Sequence, residues 1–152
     1  MTPAPAGRTQ RGDGFAETRR DANDPRLRGR TYSIPFEDVW QAALALVNEG
    51  LKGCSVQRAN DRDGIIIAEA RRRFTRGIDD FTISVTLDDQ AQTRVDVRSI
   101  ARTEGRDWGA NSRRIVRFFE QLDARVAENY RRRLGENAHF PRPAPHATVP
   151  PA

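Results

Sequence analysis

One segment of the chain alternates between polar and apolar side chains over its whole length. Residues 79–89 read DDFTISVTLDD. The apolar residues at every second position share one face of the segment: Phe81, Ile83, Val85 and Leu87. Strict alternation is typical of an antiparallel strand with one face on a core and the other in water. The chain must therefore bury one face of a sheet, and other elements have to cover that face.

Further strands are predicted on both sides of this segment. The stretches RTYSI (30–34) and TRVDVRSIAR (93–102) read as strands, the second with Arg98 on its outer face. Residues 54–74 read as a hairpin, because Asn, Asp and Gly cluster at Asn60–Gly64 and form its turn.

Two segments carry apolar residues at three- and four-residue steps, which is the pattern of a helix with one buried face. The first begins at Pro35, whose fixed φ suits the first helical position, and it ends at Gly50. The second spans about residues 107–133, and its apolar stripe includes Phe118 and Phe119.

The predicted order of elements is β-α-β-β-β-β-α. This order predicts an α+β fold, a curved antiparallel β-sheet of about five strands with two helices packed on one face, helix-grip-like, with flexible termini. Residues 29–133 form the single domain, between a disordered N-terminal arm over 1–28 and a Pro-rich disordered C-terminal tail over 134–152. Trp40, Phe118 and Phe119 are assigned to the core.

The positive charge of the chain is concentrated in its tails. The net charge is +5, made of +3 in residues 1–30, +3 in residues 131–152 and −1 between them. A basic protein suggests nucleic acid as a partner, but this distribution assigns no basic face to the domain. We therefore expect another kind of partner, with weak nucleic-acid binding through the basic tails as an alternative.

Membrane insertion and secretion are not indicated by the sequence. No transmembrane segment is expected, because no apolar run approaches the roughly 20 residues that span a bilayer. The N-terminal stretch lacks the apolar region of a signal peptide. The sequence predicts a cytoplasmic protein.

The segment RSIARTEGRDWGANSRRI, residues 98–115, gathers polar side chains where the last strand leads into the last helix. If that helix begins at Asp107, then Asp107, Asn111 and Arg114 share one side of it. Asp107 would cap the helix, whereas cations in an early turn oppose the helix dipole and call for a nearby anion. The candidate binding residues are Arg98, Ser99, Arg102, Asp107, Asn111 and Arg114.

Two interpretations of these residues remain open. The guanidinium groups would grip an anionic ligand or the carboxylate of a partner, with Ser99 and Asn111 orienting it. Alternatively, ion pairs and hydrogen bonds among the same side chains only lock the turn between strand and helix.

Few groups in the predicted domain suit catalysis. Both His residues lie in the C-terminal tail, so Ser99 has no base to activate it. Asp79 and Asp80 are adjacent in a strand and face opposite sides, so they form no carboxylate pair, and their predicted role is to resist pairing at a strand start. Cys54 is the single cysteine, which excludes an internal disulfide. We expect neither a metal nor a cofactor.

The stretch VDVRSIARTEGRDWGANSRRIVRFFEQL resembles the C-terminal signature of the domain of unknown function 1499 family. The signature residues map onto Arg98, Ser99, Arg102, Gly105, Asp107, Gly109, Asn111, Arg114 and Ile115. YSIPFEDVWQAAL and IDDFTISV are similar to the early half of the family, so the resemblance covers roughly residues 30–127. It implies family membership but no chemistry, because the family has no assigned activity.

Taken together, the sequence predicts a small non-catalytic module that binds an unknown protein partner or an anionic small ligand through the strand-to-helix polar residues. An enzyme of unknown activity is an alternative. The oligomeric state is left open.

Overall fold

The structure, a computed structural model, describes residues 14–103 and 109–137. The strands are β1 (Phe15–Glu17), β2 (Arg30–Tyr32), β3 (Cys54–Asn60), β4 (Ile65–Arg71), β5 (Ile78–Leu87) and β6 (Thr93–Ala101). The helices are α1 (Phe36–Ala45), which continues into a π-helical turn over Leu46–Gly50, and α2 (Ala110–Asn137). This architecture confirms the predicted α+β class, with the predicted hairpin turn between β3 and β4.

The strands form one antiparallel sheet in the order β1-β6-β5-β4-β3, and the sheet stays open. β2 also pairs with β6, beside β1. Phe15 of β1 stands opposite Ile100, and Arg30 of β2 stands opposite Val95, so the two short strands occupy successive parts of the same edge of β6. β5 lies between β4, which pairs with its residues 78–84, and β6, which pairs with its residues 79–87.

β1 lies inside the segment that the sequence predicted to be a disordered arm. For residues 14–28 that prediction is wrong, because the side chain of Ala16 is only 1 % exposed and joins the core. The Thr18 hydroxyl donates to Asp96 Oδ1 at 2.9 Å and accepts from the Val97 amide at 3.0 Å. Three strand residues with one buried side chain are too short to give a readable pattern.

Both helices cover the same face of the sheet, as predicted. Trp40 of α1 and Phe118 and Phe119 of α2 are all buried in one core with the inner face of β5. The ring of Phe118 meets the edge of Phe81 with 5.6 Å between centroids. Burying a side chain of this size stabilises the fold by about 2–3 kcal/mol.

Two details of the predicted core differ from the structure. Leu87, expected on the inner face, is the last residue of β5 and is 58 % exposed. In the first helix Leu46 is buried, whereas Leu44, which fits the three- and four-residue spacing, is only partly buried.

The last helix, as described, begins at Ala110, directly after Gly109. Gly109 has a φ of +77°, a conformation that a residue with a Cβ adopts only at a cost. The predicted helix start at Asp107 lies outside the described residues.

Candidate functional site

A carboxylate lies buried in the core at the end of β5 that faces the start of α2. The side chain of Asp79 is 0 % exposed. It accepts hydrogen bonds from Arg72 Nε at 3.0 Å and Arg72 Nη2 at 2.7 Å, and Arg114 Nη2 lies 2.9 Å from its other oxygen. A buried charge is tolerated only when it is paired and hydrogen-bonded, and two guanidinium groups meet that need here.

Arg72 reaches Asp79 because the chain between β4 and β5 folds back tightly. The amide of Arg72 donates to the carbonyl of Gly77 at 3.0 Å, which closes the loop over residues 72–77. A Cβ on Gly77 would stand 2.9 Å from Arg72 Cδ. The absence of a side chain at Gly77 therefore leaves the space through which the Arg72 side chain runs to the carboxylate.

Arg114 comes from the second turn of α2 and also binds the end of β6. Its Nη1 donates to Ser99 Oγ and to Asn111 Oδ1, both at 3.0 Å. The Ser99 hydroxyl in turn donates to Asn111 Oδ1 at 2.5 Å. Ser99 and Asn111 are both completely buried. The cationic side chain in an early turn of α2 thus has its anion, and that anion is Asp79.

We call these five residues the junction cluster: Arg72, Asp79, Ser99, Asn111 and Arg114. They join the β4–β5 loop, β5, β6 and α2 in the interior of the domain. Among the described residues, every buried side-chain nitrogen or oxygen has a hydrogen-bond partner. The side chains of Arg72 and Arg114 keep 14 % and 13 % of their surface exposed, so the cluster reaches the surface at its cationic edge.

A second polar group lies on the opposite, outer face of the same sheet. Glu69 and Asp80 stand directly opposite each other on β4 and β5, a pairing of like charges that destabilises a sheet on its own. Arg102 offsets the repulsion, since its Nη2 lies 2.6 Å from Glu69 Oε1 and 2.7 Å from Asp80 Oδ1. Hydrogen bonds to Asp80 and Glu69 raise the pKa of the Arg102 guanidinium, so it stays charged.

Arg98 also lies on the outer face and takes no part in the junction cluster. Its guanidinium carbon is 5.3 Å from the ring centroid of Phe15 on β1, a cation–π contact across the sheet edge. In the pairing of β1 with β6, Arg98 stands opposite Glu17.

Five of the six predicted site residues are described, and they divide into two groups. Ser99, Asn111 and Arg114 come together on the inner face, whereas Arg98 and Arg102 lie on the outer face. Alternation along β6 enforces this division, because adjacent residues of a strand face opposite sides. Asp107 lies outside the described residues.

Sequence reasoning missed Arg72 and misread Asp79. The predicted role of Asp79 and Asp80 in resisting edge pairing is wrong, because β5 is an interior strand. A signal was present, since Asp79 stands two residues before Phe81 and so belongs to the apolar face of its strand. An acid on the buried face of a strand requires a cation beside it. Arg72, which supplies one, is seven residues earlier in the chain.

The cysteine of the chain lies beside the junction cluster at the start of β3. Burial raises the pKa of the Cys54 thiol; the charge of Arg114 lowers it and that of Asp79 raises it further. The net rise disfavours the thiolate, which is the reactive form. No group of three or more His, Cys, Asp or Glu side chains within residues 14–103 and 109–137 is arranged to hold a metal ion.

In the same two ranges, no helix is long and apolar enough to cross a membrane. Of the eleven arginines in residues 1–30 and 131–152, which carry the nucleic-acid alternative, three lie outside the described residues. That alternative stays a prediction.

Comparison with known proteins gives a family and a distant structural likeness. A family model described as "Protein of unknown function (DUF1499)" matches residues 8–122. No curated protein matches the chain. A solved structure, the X-ray crystal structure of protein CV1439 from Chromobacterium violaceum, is similar at 16 % identity with a TM-score of 0.39, covering 74 % of this chain and 96 % of that one.

Proposed function

Because the chain belongs to the DUF1499 family of proteins of unknown function, we propose a function from the chemistry of the site. We infer that the protein is a small non-catalytic binding module. It takes the anionic group of a small ligand or of a protein partner, a carboxylate or a phosphate, at the cationic edge of the junction cluster.

The observation that carries this proposal is the fixed position of the Arg114 guanidinium. Asp79, Ser99 and Asn111 hold it on three sides, through Nη1 and Nη2. A guanidinium carries five N–H donors in a planar fork. These contacts use both donors of Nη1 and one of Nη2, so the donors that would meet a carboxylate or phosphate oxygen are the second one of Nη2 and that of Nε. A donor whose rotamer is already fixed loses little conformational entropy when it binds, and this favours affinity.

The exposed edge of the cluster supports an anionic ligand over a cationic one. Arg72 and Arg114 are 14 % and 13 % exposed whereas Asp79 is 0 % exposed, so a group that approaches from solvent meets the cationic side chains. Partial burial strengthens the attraction for an incoming anion, because the local dielectric constant is lower than that of water. The small exposed area of the two side chains suits a small anionic group.

The test is a titration of the full chain with inorganic phosphate and, separately, with acetate. The side-chain Nε–Hε resonances of the arginines are followed by NMR. Saturable shifts of the Arg114 and Arg72 resonances, lost in Arg114→Gln, support the proposal. Titrations are run well below the melting temperature of each variant, so that loss of binding is not loss of fold.

A matched control separates this site from general attraction between charges. Arg98→Gln removes an exposed cation from the outer face of the same strand that carries Ser99, and it is expected to leave the titration unchanged. Shifts spread evenly over all arginines, or equal losses in Arg98→Gln and Arg114→Gln, would refute a specific site at the junction cluster.

A further inference from the structure

The loop between β4 and β5 presents an aromatic ring to solvent. Phe74 is 92 % exposed, the highest value among the large apolar side chains of the described residues. The guanidinium carbon of Arg73 lies 5.7 Å from the centroid of the Phe74 ring. Arg71 and Arg76 flank the same loop and are also exposed. A single exposed apolar side chain is ordinary on its own, but here the ring stands among exposed arginines, and an apolar group beside cations matches a partner that is both apolar and anionic.

Within residues 14–103 and 109–137, the acids at this end of the sheet pair with cations other than the exposed arginines of the loop. Asp79 is buried between Arg72 and Arg114, and the acids of the outer face are engaged by Arg102. The exposed Lys52 adds a further cation, because the adjoining Gly53 carbonyl accepts from the Arg71 amide at 2.9 Å.

The opposite end of the sheet has the opposite charge. The β3–β4 turn contains Asp61 and Asp63, and the β5–β6 turn contains Asp88 and Asp89. The amide of Val85 donates to the carbonyl of Gly64 at 2.7 Å, which brings the two turns to one end. The sheet is therefore polarised, with the exposed ring at its positive end.

The partner of this end has to offer negative charge and an apolar layer at the same place. The boundary between headgroups and acyl chains in a bilayer with anionic lipids has both properties. A nucleic acid fits less well, because proteins that bind single strands stack bases on several rings along a groove, whereas a single ring stands at the tip of this loop.

We propose that the β4–β5 loop docks on the surface of a membrane that contains anionic lipids. Phe74 inserts at the boundary between headgroups and acyl chains, while Arg71, Arg73 and Arg76 contact the headgroups with their long side chains. The proposal goes beyond the proposed function, since it concerns the exposed loop and not the junction cluster. Either can fail while the other holds.

Vesicle flotation of the full chain tests the proposal. The vesicles are made of phosphatidylcholine alone or of phosphatidylcholine mixed with phosphatidylglycerol. The chain is expected to float with the mixed vesicles only, and less so as salt is added. Phe74→Ala is expected to weaken partitioning about tenfold, and Arg73→Gln or Arg76→Gln about fivefold each.

Two variants at the other end of the sheet serve as controls. Leu87→Ala removes a side chain that is 58 % exposed, and Arg62→Gln removes an exposed cation from the β3–β4 turn. Both are expected to float as the unmodified chain does. Because all of these side chains are exposed, the melting temperatures should agree.

Three results would overturn the membrane assignment. The first is no flotation with the mixed vesicles, and the second is flotation that Phe74→Ala leaves unchanged. The third is binding to a single-stranded oligonucleotide or a polyglutamate peptide that is tighter than vesicle binding and equally dependent on Phe74. Phosphate binding at Arg114 is measured separately and decides nothing about this loop.

Discussion

Replacing Asp79 with Asn tests the interpretation of the junction cluster as a buried ion-pair network. Asp79 is fully buried and faces the guanidinium groups of Arg72 and Arg114 at 2.7 and 2.9 Å. The substitution preserves shape but removes the charge, which leaves two largely buried cations without their carboxylate. Removing one partner from a buried pair typically costs about 3–5 kcal/mol. Since small domains are stable by about 5–15 kcal/mol, the variant approaches global unfolding.

The assay is urea denaturation of the full chain, followed by circular dichroism. Asp80→Asn is the matched control, because Asp80 is the next residue of the same strand with the same charge on the outer face. Its side chain is 43 % exposed, and ion pairs in contact with water contribute little, so its loss of stability is expected to be much smaller. Equal midpoints for Asp79→Asn and Asp80→Asn would refute the reasoning.

Three further predictions concern two residues close to the cluster and one residue of β2 that contacts the middle of α2. Gly77→Ala places a Cβ 2.9 Å from Arg72 Cδ. This substitution is expected to lower the free energy of unfolding by about 1 kcal/mol, which urea denaturation measures. The same substitution should have no effect in a chain that already carries Asp79→Asn. Cys54 is expected to react with iodoacetamide more slowly than a free cysteine peptide at pH 8, because burial raises the pKa of its thiol; an equal rate, measured by mass spectrometry, would contradict this. Burial and a hydrogen bond to Asp123 raise the pKa of the Tyr32 hydroxyl above its ordinary value of 10.0. As pH rises, the Tyr32 hydroxyl therefore ionises at a lower pH in the unfolded chain than in the folded one. Its contribution to the free energy of unfolding is complete below pH 10.0 and decreases by about 1.4 kcal/mol per pH unit above it. The measurement is the unfolding free energy against pH, with Tyr32→Phe as the reference that should lack this slope.

The general fold was predictable because its signals are periodic. The alternation from Phe81 to Val85 and the helical spacing around Trp40 and Phe118 identify which faces are buried, and one sheet covered by two helices satisfies all of them. β1 was not predictable in this way, since three residues held by pairing with β6 give no period. The π-helical turn over Leu46–Gly50 was not predicted either, because the apolar spacing there fits a regular helix equally well.

The candidate site was predictable only where its residues are close in sequence. Ser99, Asn111 and Arg114 lie within one short segment, and their contact follows from the passage of strand into helix. Arg72 and Asp79 join them from another hairpin through the register of β5 with its neighbours, which a polar motif cannot reveal. Strand alternation alone indicates that Arg98 and Ser99 lie on opposite faces of the sheet.

The central claim is that one buried carboxylate, Asp79, ties the β4–β5 loop to α2 through Arg72 and Arg114. A double-mutant cycle with Asp79→Asn and Arg114→Gln measures this tie as a coupling in the free energy of unfolding. We predict that the double variant is more stable than the sum of the single losses implies, by about 1–3 kcal/mol. Losses that simply add would contradict the claim.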